Sequence, residues 1–138
     1  MKTIKVYIVR ESDGSYSSYM DEKADLPYGL IGEGSTVAEA INEWRRAYND
    51  MRSLFEEEGR EFEEVEFIFH VKVNIIFETA KDGGCSCHMV EELPDFGLLG
   101  YGNTPQEAKA DMLQAYEEIK ELLRKEGKEV PELEFVYH

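Results

Sequence analysis

The stretch Gly29-Leu30-Ile31-Gly32-Glu33-Gly34-Ser35-Thr36 reappears 68 residues later as Gly97-Leu98-Leu99-Gly100-Tyr101-Gly102-Asn103-Thr104. The correspondence then runs on without a gap. Glu39-Ala40 maps on Glu107-Ala108, Ala47-Tyr48 on Ala115-Tyr116, Leu54 on Leu122, Glu58-Gly59 on Glu126-Gly127, and Glu66-Phe67 with His70 on Glu134-Phe135 with His138. Before Gly29 the register slips slightly: Lys5-Val6 faces Lys72-Val73 and Asp13-Gly14 faces Asp82-Gly83, as small insertions in surface turns produce. Self-similarity at a fixed offset constrains the fold more than any composition does, because each copy must be one supersecondary unit. The expectation is a tandem duplication with repeats at 1–70 and 71–138.

Each copy yields the same order of elements. Ile4, Val6 and Ile8 alternate with Lys5 and Tyr7, and Val73, Ile75 and Phe77 take the matching places, the period-two signature of a strand with one buried face. Asp13-Gly14 and Asp82-Gly83-Gly84 are turn formers, leading by a hairpin to second strands at 16–20 and 85–89. Short third strands are predicted near Leu30-Ile31 and Leu98-Leu99, bracketed by glycines that serve a tight strand-to-helix turn. Thr36 with Glu39, and Thr104 with Glu107, have capping-box spacing, and Pro105 fits the first helical position. Apolar steps of three and four follow at Val37, Ala40, Ile41, Trp44, Ala47, Met51, Leu54 and Phe55, and at Ala108, Met112, Ala115, Ile119, Leu122 and Leu123. Gly59 and Gly127 then stop the helices, and final strands follow at 65–69 and 133–137.

The fold class expected is therefore α+β, two β-β-β-α-β units with helices packed on one face of antiparallel or mixed sheets, related by a pseudo-twofold. Residues 65–78 contain neither Gly nor Pro, so the last strand of the first copy is expected to run into the first strand of the second. A unit of this size buries only about 60% of its unfolded surface alone, which favours one fused body over two separate ones.

Charge narrows the function. The 15 Lys and Arg stand against 30 Asp and Glu for a net charge of −15, divided as −8 and −7 between the copies. Such a surface repels phosphate backbones, so direct nucleic-acid binding is not expected, and the complementary partner is a cationic protein or a cation, though such charge also serves solubility alone. The apolar runs fall far short of the ~20 residues of a membrane helix, and no basic segment precedes an apolar block at the start. A cytoplasmic protein is expected, and two cysteines confined to Cys85-Ser86-Cys87 suit a reducing compartment.

The sequence Asp82-Gly83-Gly84, a strand, Leu93-Pro94-Asp95-Phe96-Gly97, and then Gly102-Asn103-Thr104-Pro105-Gln106-Glu107-Ala108 resembles the HicB-like antitoxin family. The first copy shows the pattern through Asp13-Gly14, Leu26-Pro27, Gly34-Ser35-Thr36 and Glu39-Ala40. The resemblance covers nearly the whole chain, twice. It implies a unit similar to a truncated RNase H fold, used without catalysis to cover a small basic HicA-like toxin that cleaves messenger RNA. Family members append a ribbon-helix-helix or helix-turn-helix segment for the operator. The expectation here is an antitoxin unit lacking that segment, in which duplication replaces a homodimer.

Candidate residues follow from these expectations. Glu39, Glu43 and Asp50 lie on one helical face, and Glu107, Asp111 and Glu118 repeat them, an acidic stripe presented twice that could steer a basic partner. The plainer reading is a solvated helix face. Cys85 and Cys87 point to one face of a strand and His88 to the other, so they do not converge on an ion. His70 and His138 close the last strands with no nucleophile in the repeat. Glu78, Asp111 and Glu134, with Glu11, Glu43 and Glu66 in the first copy, stand where an RNase H-like nuclease keeps its metal-binding acids, but two-metal chemistry needs convergence that a chain this acidic does not signal. No catalytic residue, metal or cofactor is expected. The second function class is a stand-alone, self-associating scaffold of the same fold, a homo-oligomer without a toxin. A degraded nuclease is remote.

Overall fold

Ile4, Val6 and Ile8 are buried while Lys5 and Tyr7 are exposed, so the first strand, β1 (Lys2–Arg10), presents one face to a core and the other to solvent. A computed structural model describes residues 2–138 and is α+β, with two helices and a mixed sheet of seven strands among the described residues. The chain divides into two compact units, Met1–Val71 and Lys72–His138.

In the first unit β1 pairs antiparallel with β2 (Tyr16–Met20), with Tyr7 opposite Tyr19 and Arg10 opposite Tyr16. The turn is tied by Asp13, whose Oδ1 accepts from the Ser15 amide at 2.9 Å and hydroxyl at 2.6 Å, while Gly14 takes the left-handed φ of 88° that the tight turn requires. β2 pairs with β3 (Gly32–Gly34), and α1 (Val37–Glu57) follows. The chain then returns in β4 (Val65–Thr79), whose first part runs parallel to β1 with Ile4 opposite Phe67 and Val6 opposite Phe69. The continuous strand predicted from the Gly- and Pro-free run is present, and the division between units falls within it.

In the second unit the latter part of β4 pairs antiparallel with β5 (Cys85–Met89), and β5 with β6 (Leu99–Gly102). The hairpin repeats the first one's construction: Gly83 has φ 88° and Asp82 Oδ1 accepts from the Gly84 amide at 2.9 Å. Then come α2 (Pro105–Lys125) and β7 (Glu132–Tyr137), which pairs with β4.

Each helix covers its unit's core. Val37, Ala40, Ile41, Trp44, Tyr48 and Phe55 are buried on α1, and Ala108, Met112, Tyr116 and Leu123 on α2. Tyr48 and Tyr116 belong to the cores, and each binds the chain entering its unit's last strand. The Val65 amide donates to the Tyr48 hydroxyl at 3.0 Å, and the Tyr116 hydroxyl donates to Pro131 O at 3.2 Å.

The structure corrects the sequence reading in three places. The third strand starts two residues late in the first unit, at Gly32 rather than Leu30, and its glycines lie in the strand instead of bracketing it. Their role is close approach, not turning. A Cβ at Gly32 would sit 2.5 Å from the Ala40 carbonyl oxygen and 2.8 Å from the Trp44 amide, and one at Gly100 would collide with the Ala108 carbonyl. Leu54 and Leu122, assigned to the buried stripes, are 43% and 55% exposed, because α1 and α2 turn Phe55 and Leu123 inward at those turns instead.

Candidate functional site

The six acids of the stripe sit on the exposed or half-exposed surfaces of α1 and α2, but most are already engaged in their own unit. Glu39 and Glu107 act in the helix caps. The Glu39 amide donates to Thr36 Oγ1 and the Glu107 amide to Thr104 Oγ1, both at 3.1 Å. Their carboxylates reach one residue further back than a standard capping box does. Glu39 Oε2 accepts from the Ser35 amide and hydroxyl, and Glu107 Oε2 from the Asn103 amide, all at 2.7 Å. The two Ser35 hydrogen bonds hold the Glu39 carboxyl below its usual value. Negative charge there also complements the positive end of the helix.

Asp111 closes a strand edge: its Oδ2 accepts from the Tyr101 amide at 2.9 Å, an N–H that β6 would otherwise present to another strand. Glu43 pairs with Arg46 at 2.9 Å, and Glu118 Oε1 accepts from Gln114 at 3.2 Å. Asp50 is exposed on the outer side of α1. Glu43, Asp50 and Glu118 thus make at most contacts within their own helix, while Glu39, Glu107 and Asp111 hold the helix caps and the β6 edge.

Cys85 and Cys87 are free and buried on the helix side of β5, and His88 alternates to the other side. The Cys87 thiol donates to Ala108 O at 3.3 Å and lies 3.9 Å from Met112 Sδ. Ser18 makes the same bond in the first unit, to Ala40 O at 3.1 Å, so both side chains satisfy the helix carbonyl that the neighbouring glycine approaches. Burial pushes the Cys87 thiol up, with the nearby Cys85 and Asp111 charges adding to it, so it is a poor thiolate. Among the described residues no three His, Cys, Asp or Glu side chains are grouped to hold a metal ion. Of the nuclease-position acids, Asp111 is bound to the β6 edge, and Glu11 accepts from the Tyr19 hydroxyl at 2.9 Å.

His138 follows β7 as expected, but His70 lies inside β4 rather than at a strand end because that strand is continuous, and two groupings around these histidines were not foreseen. In the second unit the His138 Nε2–H donates to Asn74 Oδ1 at 2.8 Å, and Asn74 gives its backbone and side-chain N–H to Glu91, each at 2.7 Å. Glu91 is 8% exposed and both its oxygens are satisfied by this one residue. In the first unit the place of Asn74 is taken by Tyr7, whose ring lies 5.5 Å from that of His70. The signal was the alternation that excludes Tyr7 and Asn74 from the helix side of their strands.

The helix-free face of the first unit's sheet therefore carries a cross-strand row, Tyr19, Tyr7 and His70, in direct register. No protein-family model matches the chain, and no curated protein matches its sequence.

Proposed function

We propose that the chain is an internally duplicated HicB-like antitoxin that binds and neutralises a small basic HicA-like, mRNA-cleaving toxin in the cytoplasm, without catalysis of its own. The observation that carries this reading is a net charge of −15 distributed over both copies, on units that each run strand, strand, strand, helix, strand. Under this reading the two copies are truncated RNase H-like domains, and the helix-surface carboxylates of Glu43, Asp50 and Glu118 attract a cationic partner over a Debye length of about 8 Å at physiological salt.

Co-expression tests it. A basic reading frame of fewer than ~100 residues beside this gene should arrest growth when expressed alone, and growth should return when this chain is supplied, by the charge-complementarity argument. Arrest that persists with the chain abundant and folded would reject the antitoxin reading.

One observation favours the second reading, a self-associating scaffold. Leu54 and Leu122 occupy matching helix positions and are both exposed, as are Ile31 at 57% and Leu99 at 47%. Apolar side chains kept at equivalent exposed places suit a contact between copies.

A further inference from the structure

The first unit contains a depression of about 580 Å³ lined by Tyr7, Tyr19, Met20, Asp21, Glu22 and Lys23. Its two rings come from neighbouring strands and stand directly opposite each other on the helix-free face, 36% and 45% exposed. Residues placed this way across an antiparallel pair have their side chains within reach of a common guest. The Tyr19 ring is held by its hydroxyl, which donates to Glu11 Oε1 at 2.9 Å. That donor is therefore unavailable to an anion, and the hydrogen bond to Glu11 pushes the Tyr19 hydroxyl's pKa up, with the Glu11 and Glu33 charges adding to it. Asp21 and Glu22 supply carboxylates in the turn after β2, and half-buried Met20 offers an apolar surface. Lys23 is the single cation of the lining; it is exposed, and its long stem lets the ammonium turn to water.

We infer that this depression receives an arginine or lysine side chain of a basic protein partner, the cation lying against the Tyr7 and Tyr19 rings with the Asp21 and Glu22 carboxylates beside it. Electron-rich ring faces attract a cation, and more strongly where water is partly excluded. The carboxylates add charge, and Met20 accommodates the alkyl stem. The inference rests on the reading of the chain as the binder of a basic protein and assigns that binding a specific place.

A hexa-arginine peptide is the probe, titrated into the full chain while the tyrosine ring signals are followed by NMR. Saturable shifts of Tyr7 and Tyr19 are expected. Tyr19→Leu and Glu22→Gln should each weaken the peptide about fivefold, as loss of one cation–ring or charge contact implies. Glu56→Gln, which removes the same charge from the exposed end of α1, should change it less than about twofold. Absent tyrosine shifts, or equal losses for Glu22→Gln and Glu56→Gln, would overturn the site. Should Tyr19→Leu fail to fold, Glu22→Gln in its exposed turn decides. Peptide binding here without capture of any basic neighbour protein would keep the pocket and remove the toxin reading; capture unaffected by Glu22→Gln and Tyr19→Leu would do the reverse.

Discussion

A single methyl group at Gly32 separates two readings of the glycine pattern. The Gly-rich segments suggested turns, yet Gly32 and Gly100 lack side chains because helix backbone occupies the space where a Cβ would stand. Gly32→Ala should therefore destabilise the protein by about 1–3 kcal/mol, the usual range for overpacking. Gly29→Ala, with nothing within 4 Å of the added carbon, should change stability by less than about 0.5 kcal/mol. Denaturant unfolding of the two variants checks this, and equal losses would refute the packing role. Spacing in the sequence marked these glycines as special but could not say why, since close approach depends on a helix several residues away. Cys87 was similarly visible only as a strand residue sharing a face with Cys85; its bond to Ala108 O, like that of Ser18 to Ala40 O, depends on the helix packed above.

At the level of elements, strands and helices with a strong period were legible. β2 and β5 fall at the expected residues, and Thr36 and Thr104 cap the helices as their spacing indicated. β3 and β6 are short and glycine-containing, without an apolar alternation to set their ends, which is why the first was misplaced. The acidic stripe shows a different limit. Glu39 and Glu107 satisfied two patterns at once, a cap and a surface stripe, and the local hydrogen bonds to Ser35 and Asn103 claimed them. A carboxylate with a lowered folded value contributes stability above its unfolded value and loses that contribution as pH falls through the folded one. The Ser35 amide should thus stay protected from hydrogen exchange above the ordinary carboxylate value of 4.5 and lose protection below the lowered Glu39 value. In Glu39→Gln this acid step should vanish; its persistence would mean that another group holds the N-terminus of α1.

For the whole molecule, the self-similarity at a fixed offset was legible because matching residues need no structural knowledge. The two units nevertheless differ both on the helix-free face and inside the core. Tyr7 and His70 meet in one unit where Asn74, His138 and Glu91 form a hydrogen-bonded chain in the other, and within the cores buried Trp44 stands where the second unit has buried Met112. Such differences are invisible to a pattern that records only matches. The two units therefore present different chemistry, with the aromatic depression belonging to the first. The common property is charge, and charge acts at a distance through association rate more than through contact. Under the antitoxin reading, isothermal titration of the chain against a small basic protein from a neighbouring gene tests the proposed partnership most directly. The expected result is a saturable complex whose affinity falls as salt rises from about 0.05 to 0.5 M and is reduced by Glu43→Lys, Asp50→Lys and Glu118→Lys together. Absence of heat and of a complex at low salt would contradict it.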